Sequence, residues 1–434
     1  MDEPDLPERA SDVDRSWDRV IDRSVALLTR RDCEALDRAD PLARMRDAFA
    51  LPDGVVYLDG NSLGALPRSV RERLRETVDV QWGRDLITSW NAHGWIDLPS
   101  RVGGKIARLI GAAPDEAVAT DSTSVNLFKL AAAAVRANAG RKVVLTEAGD
   151  FPTDLYMLQG LAEFRPDVEV RAVEPGGAET ALDETVALLL LTHVHYKTGR
   201  VQDMAGLSAK ARAAGALTLW DLSHSAGVLD VDLTGAGADL AVGCGYKYLN
   251  GGPGAPAYLY VRRALQDRLR TPLAGWMGHA RPFDFTDDYA PAPGVARFLC
   301  GTPSVLAMAA LDAALDVFEG VRPADLQAKA RGLGDLFVRL VAERGLDLRL
   351  VSPAEASVRG GQVSYAHPDG YAVMQALIAR GVIGDFRSPD VIRFGFAPLY
   401  LRHADVFDAV EVLADVLGER AYEAARYRQR AAVT

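Results

Sequence analysis

The chain has 434 residues, 49% of them hydrophobic and 25% charged, with a formal net charge of −10. That length divides into two or three units of ordinary globular composition, and the acidic balance lacks the basic face that a nucleic-acid binder needs. Cys33, Cys244 and Cys300 are too few and too widely spaced for a disulfide framework or a CxxC metal centre.

The opening MDEPDLPERASDVDRSWDRVIDRS mixes charges and lacks the apolar core of a signal peptide. No run reaches the roughly 18 apolar residues of a membrane span, so a cytoplasmic protein is expected. Residues 13–50 carry Trp17, Val20, Ile21, Val25, Leu27 and Leu28 among charges, which predicts a helical extension. YLDGNSLGALP then reads as a short strand running into a turn, with Pro67 placed to open the next helix. From Pro114 onward short apolar runs alternate with alanine-rich stretches, the pattern of an α/β fold with a mostly parallel sheet. The clearest strands are predicted at 142–146, 186–192, 216–220, 240–243 and 255–261, and the helix at 204–214 completes a βαβ crossover. A helix at 305–318 leads out of this unit. Beyond it, helix 326–343, strands near 347–351 and 361–365, helix 371–379, RFGF and a last helix predict a smaller α+β domain. The expected division is an extension over 1–50, a large domain over 51–320 and a small C-terminal domain over 321–434.

In open α/β sheets ligands gather at the carboxyl ends of the strands, where this chain places DSTSVN, GDFPTD, THVHYKTG, WDLSH and GYK. Ser122, Thr123 and Ser124 precede an apolar helical run, so free N–H groups and the helix dipole there suit a phosphate. Taken alone, an ordinary N-cap is the better reading. Asp221 follows the strand ALTLW at what should be a buried strand end, and a buried carboxylate without a partner is costly. A protonated pyridine nitrogen would answer that need, and so would a buried salt bridge. His224, three residues on, either lines the same site or packs in the core. Lys247 lies behind an apolar run and ahead of a glycine-rich turn, where covalent attachment of an aldehyde cofactor explains it. A free lysine has a pKa of about 10.4, so such attachment at neutral pH requires desolvation or helpful neighbours. Phosphate grip, ring-nitrogen carboxylate and lysine, in that order, describe pyridoxal phosphate.

On LDGNSLG, STSVNLF, DFPTDLY, THVHYKTG, WDLSHSAG, GCGYKYLNGGPG, GWMGH and RFGFAPLY, the chain resembles the fold type I pyridoxal-phosphate enzymes and, within them, the kynureninase family. The likeness covers most of the chain and implies a large domain with a mostly parallel seven-stranded-type sheet. It implies that Lys247 bonds the cofactor, that Asp221 pairs with the pyridinium, and that Phe151 stacks on the ring with Asp154 and His224 beside it. Thr123, Ser124 and Tyr246 are implied to hold the phosphate together with Trp276 and Thr302. The last two would come from a partner subunit, so a homodimer is implied. Thr192 matches another cofactor contact. Arg393 matches the residue whose two-pronged donors bind the substrate's α-carboxylate, and Asn61, Ser62 and His93 fall where the family contacts its amino-acid substrate. The implied reaction is hydrolysis of the Cβ–Cγ bond of L-kynurenine, or of 3-hydroxykynurenine, in tryptophan catabolism. Lys247 and the adjacent Tyr246 would carry the protons.

Other reactions share parts of this set. An aminotransferase shares the lysine and the ring-nitrogen carboxylate. A cysteine desulfurase-like lyase needs a cysteine shortly before the substrate arginine, and residues 353–392 hold none. A metal-dependent hydrolase built on His193, His195, Asp221 and His224 lacks metal-specific spacing, and packed histidines are the better reading. Trp82, Trp90 and Trp95 read as packing residues near the site entrance.

Overall fold

The computed structural model describes residues 27–430. Of the expected helical extension, Trp17, Val20, Ile21 and Val25 lie outside the described residues. Within them, one helix covers Arg30–Ala39 and a short 3-10 turn covers Ala43–Ala48. The helix opens on a capping box in which Thr29 and Asp32 satisfy each other's backbone N–H groups. It lies against the C-terminal helix His403–Gly418, with Arg30 Nε 2.8 Å from Asp408 and Asp37 2.9 Å from His403 Nδ1.

The strands in chain order begin with β1 (Val56–Tyr57), β2 (Ala117–Ala119), β3 (Val143–Glu147), β4 (Glu169–Val173), β5 (Val186–Thr192), β6 (Leu217–Asp221), β7 (Leu240–Cys244) and β8 (Ala257–Val261). β2 to β8 form a seven-stranded sheet in the order β2-β8-β7-β6-β5-β3-β4. β8 runs antiparallel to both of its neighbours, and the remaining pairs are parallel. Helices cover both faces of a parallel sheet, so its strands must be apolar on both sides. β5 shows this directly: Leu189 and Leu191 pack into one core cluster while Leu188 and Leu190 pack into another on the opposite face. The predicted helix at 204–214 is observed as Met204–Ala214, capped by Asp203 and closed by Gly215 in the left-handed region.

The second unit contains β9 (Arg349–Leu350), β10 (Gln362–Ala366), β11 (Val382–Ile383), β12 (Asp385–Arg387) and β13 (Val391–Gly395). Four of these make an antiparallel sheet in the order β12-β13-β10-β9. The ring of Phe337, on the helix Pro323–Glu343, packs 4.7 Å from Phe394 and 5.6 Å from Phe396. β11 pairs with β1, in parallel, so Val56–Tyr57 hydrogen-bond to the small domain although they fall at the start of the range expected for the large one. Gly395 N–H extends the contact by donating to the Leu58 carbonyl at 2.7 Å.

A buried ion pair adds a second tie between the chain's early segment and the small domain. Lys329 Nζ lies 2.6 Å from Asp40 Oδ2, with both side chains under 5% exposed. Removing one member of such a pair strands the other charge, at a cost of about 3–5 kcal/mol. Asp40→Asn is therefore expected to lower unfolding free energy by about that amount, read from the midpoint of a denaturant titration. A loss under about 0.5 kcal/mol, the range of an exposed pair, would contradict the assignment.

Candidate active site

The carboxyl ends of β3, β5, β6 and β7 lie side by side, and the sheet register aligns Thr192 of β5 with Asp221 of β6. Asp221 thus closes its strand instead of following it. Its Oδ1 accepts from Ser223 N at 2.8 Å and from Ser223 Oγ at 2.6 Å. Thr192 Oγ1 donates to Asp154 Oδ2 at 3.2 Å, and Thr192 N donates to Asp150 Oδ2 at 3.2 Å. Lys247 comes off the loop after β7, with its Nζ 2.8 Å from His224 Nε2 and 5.7 Å from the centre of the Phe151 ring. Gly64 of LDGNSLG closes against this loop: its N–H donates to the Tyr246 carbonyl at 2.8 Å, and a Cβ there would meet the Lys247 carbonyl at 2.3 Å. Only glycine permits that approach.

The electrostatics of this corner call for a cation. Asp150, Asp154 and Asp221 are all buried. Burial, then the charges of Glu147 and Asp221, pushes Asp150 up to about 7. Burial, then Asp221 and Asp150, pushes Asp154 well above the usual carboxylate range. Asp221 is raised by burial, against the opposing effects of the Ser223 hydrogen bonds and Lys247. Asp154 Oδ1 has no hydrogen-bond partner, and Asp221 forms no ion pair among the described residues. A protonated ring nitrogen beside Asp221 would supply the missing cation.

The helix Thr123–Ala137 opens toward the same site, with Ser122 accepting from Val125 N at 3.3 Å. Thr123 and Ser124 at its first turn are half-buried, and their position leaves N–H groups for an anion. Burial, then Cys244 and Asp221, pushes the Tyr246 phenol upward. It keeps its proton at neutral pH and can serve as a donor.

Arg393 is buried on β13. Its Nε donates to Asp385 Oδ1 at 2.6 Å, its terminal nitrogens reach Asp385 Oδ2 and the Tyr196 carbonyl, and Ser62 Oγ lies 3.2 Å away. Arg387 adds a second guanidinium 2.9 Å from Asp385. Asn61 is wholly buried with both amide atoms unpartnered, packed so closely on Gly395 that a Cβ there would come 2.0 Å from Asn61 Oδ1.

Within one chain, Trp276, Thr302 and His93 stand apart from the lysine cluster. Trp276 Nε1 donates to Thr302 Oγ1 at 3.3 Å, and its ring packs edge-on against Trp90 at 6.1 Å and Phe283 at 6.0 Å. His93 is held by Asp85 at 2.8 Å, in a cleft of about 200 Å³ that Gln81, Trp95 and Arg101 also line. His193 and His195, the pair behind the metal-site alternative, have other partners. His193 Nδ1 meets Ser225 Oγ at 2.9 Å, and burial pushes its pKa down to about 4, while His195 Nε2 meets the Gly149 carbonyl at 2.9 Å.

Four participants escape sequence reasoning: Asp385, Arg387, Gln362 and the Tyr196 carbonyl. Gln362 Oε1 lies 3.0 Å from His224 Nδ1 across 138 residues of chain, and no motif marks it.

This fold recurs in solved structures. A cysteine desulfurase from Thermococcus onnurineus NA1 superposes with a TM-score of 0.73 at 20% identity, covering 87% of this chain and 98% of that one. A cysteine desulfurase from Escherichia coli gives 0.72 at 20% identity, with the same coverage. Such identities speak for the fold alone. The sheet order, with a lysine and an aspartate without an ion pair near adjacent strand ends, is that of the fold type I pyridoxal-phosphate enzymes. The family model described as the kynureninase C-terminal domain matches residues 326–413. Kynureninase of Burkholderia mallei (strain SAVP1) is 51% identical over 414 residues, covering 94% of this chain and all of that protein. Kynureninase of Pseudomonas fluorescens is 48% identical over 416 residues, with the same coverage. The chain belongs to the kynureninase family.

Proposed function

We propose that this site hydrolyses the Cβ–Cγ bond of L-kynurenine, or of its 3-hydroxy form, releasing L-alanine and anthranilate or 3-hydroxyanthranilate. The observation that carries the reading is the buried Asp221, without an ion pair beside Lys247, in a chain that matches kynureninases over 94% of its length. No helix among the described residues is long and apolar enough to cross a membrane, and we place the reaction in the cytoplasm.

Pyridoxal phosphate, when bound, supplies the electrophilic carbonyl and the electron sink. Lys247 would bond it, Asp221 would keep its ring nitrogen protonated, and Phe151 would cover one face. Asp154, Thr192 and His224 would line its edge, and Thr123, Ser124 and Tyr246 would hold the phosphate. The Lys247 amine, when free, would be placed to take the proton from the substrate's Cα. Tyr246, protonated and adjacent, is suited to return a proton at Cβ after cleavage. Arg393, oriented by Asp385, would receive the α-carboxylate at the terminal N–H that Asp385, Ser62 and the Tyr196 carbonyl leave over, with Asn61 and Ser62 beside it.

Trp276, Thr302 and His93 would complete the site from a second copy of the chain. The surface around them supports a homodimer: Ile87 is 76% exposed, Phe283 64% and Phe285 81%. Clustered apolar exposure of this kind marks an interaction face. In the same reading the chain divides into an extension over 1–50, a cofactor domain over 51–320 and a small domain over 321–434, with Val56–Tyr57 paired to β11 of the small domain in a separate two-stranded sheet.

The direct test mixes purified, cofactor-loaded protein with each substrate and follows product fluorescence. Turnover of either supports the reading. Absence of product from both, with bound cofactor verified by its visible absorbance, overturns it. Tyr246→Phe is expected to keep that absorbance and lose about 10²–10⁴-fold in kcat, the usual contribution of a proton-transfer group. Full turnover in this variant would remove Tyr246 from the proton path.

A further inference from the structure

Gln362, on β10 of the small domain, touches both ends of the site. Its Nε2 lies 2.8 Å from the Tyr196 carbonyl oxygen, which can only accept, so the amide nitrogen must face that way. Oε1 therefore faces His224 Nδ1 at 3.0 Å, and because Oε1 can only accept, Nδ1 carries the proton. That leaves the Nε2 lone pair directed at Lys247 Nζ, 2.8 Å away. Burial, reinforced by the charges of Lys247 and Arg393, holds the His224 pKa well below its ordinary value, so the ring stays neutral. The Tyr196 carbonyl also accepts from Arg393. Two residues along β10, on the same face, Ser364 Oγ donates to the Lys197 carbonyl at 2.6 Å. Side chains of the small domain thus grip consecutive carbonyls of the loop that follows β5.

We infer that Gln362 is a positioning residue for the reaction: it fixes His224 as the Nδ1-protonated tautomer, aims a lone pair at Lys247 Nζ, and ties that orientation to Arg393 through the Tyr196 carbonyl. The inference builds on the proposed function but makes a separate structural claim. The tautomer of a histidine is set by the bond its far nitrogen makes, and Gln362 makes that bond here. The lysine amine that must move a proton then has one directed acceptor, and a shift of the substrate-carboxylate arginine is felt at the same carbonyl. The chemical balance of the reaction is unchanged, since Gln362 neither gains nor loses a proton.

The test uses ¹⁵N-histidine labelling and NMR of the protein without cofactor, with the His224 signal assigned through His224→Phe. In the unaltered chain, Nδ1 is expected to be protonated and Nε2 unprotonated. Gln362→Leu, close in size but unable to hydrogen-bond, is expected to lose that preference. In the loaded enzyme it should lower kcat by about 10- to 100-fold, less than loss of a proton-transfer group itself can cost. Gln362→Glu keeps an acceptor at Nδ1 and is expected to restore the tautomer. Its carboxylate stabilises the imidazolium, so the acid limb of the kcat/KM profile should move to higher pH. An unchanged His224 tautomer in Gln362→Leu overturns the inference. So does parallel loss of melting temperature and activity in both variants without a change in pH profile, which would mark a merely structural role. Failure to cleave kynurenine would overturn the proposed function, whereas the NMR result needs no substrate and decides the Gln362 claim by itself.

Discussion

Lys247→Ala is expected to lower kynurenine turnover by at least about a thousandfold, because in the proposed mechanism it would remove both the covalent anchor and a proton-transfer group. The fold should survive: the side chain is only half-buried, and among the described residues its one direct hydrogen bond is to His224. Circular dichroism and the melting temperature should therefore remain close to those of the unaltered chain. Borohydride reduction of the loaded protein followed by peptide mass analysis should find cofactor mass on the Lys247 peptide and nowhere else. In the alanine variant, cofactor should remain dialysable after reduction. Turnover within tenfold of the unaltered enzyme would exclude Lys247 as the anchor, and attachment at Lys197 or Lys129 would do the same.

A second large effect is expected from mixing two damaged chains. Lys247→Ala and Trp276→Ala remove parts of the site that lie in different places on one protomer, since Trp276 packs with Trp90, Phe283 and Thr302. If the site is shared between subunits, each homodimer is crippled at both sites. In a mixed dimer one site carries both lesions and the other carries neither. Random pairing makes half of the dimers mixed, with one intact site of two, so coexpression should restore about a quarter of full activity. Separate preparations assayed together without subunit exchange should stay inactive. Coexpression yielding no more than the sum of the separate variants would mean that Trp276 acts within its own chain or not at all.

Much of the site was legible because its chemistry is written next to buried strands. The segment VALLLLT can hardly be anything but a strand covered on both faces, and β5 is observed at Val186–Thr192 as expected. The polar residue that ends such a run lies at the carboxyl end of the sheet, which is where Thr192 falls. Asp221 was read one position late and in fact ends β6, where the aligned register brings it beside Thr192. β2 and β4 were not anticipated, for different reasons. β2 is only three residues long, and β4 is an edge strand with charges at Glu169 and Arg171 that dilute its apolar signal.

What sequence could not convey was proximity across distance. Asp385, Arg387 and Gln362 have no local reason to be singled out, and they matter only because the small domain folds over the strand ends. His93 enters only through the resemblance, and its hydrogen-bonding partner Asp85 emerges only when the chain turns back on itself. Tyr246 changed character as well. As a sequence feature it was a candidate for proton transfer in either direction, whereas burial favours the protonated phenol and hence the donor.

The pairing of Val56–Tyr57 with Val382–Ile383 has a consequence for the order in which the chain can assemble. Because the two strands are more than three hundred positions apart in sequence, that ladder closes only after nearly the whole polypeptide has left the ribosome. Until then the early strand and Asp40 wait without their partners. A fragment beginning at residue 321 would in turn lack both the β1 edge and the carboxylate that neutralises Lys329. The small domain is thus a spatial unit whose pieces arrive first and last, and it is a poor candidate for expression as an autonomous fold.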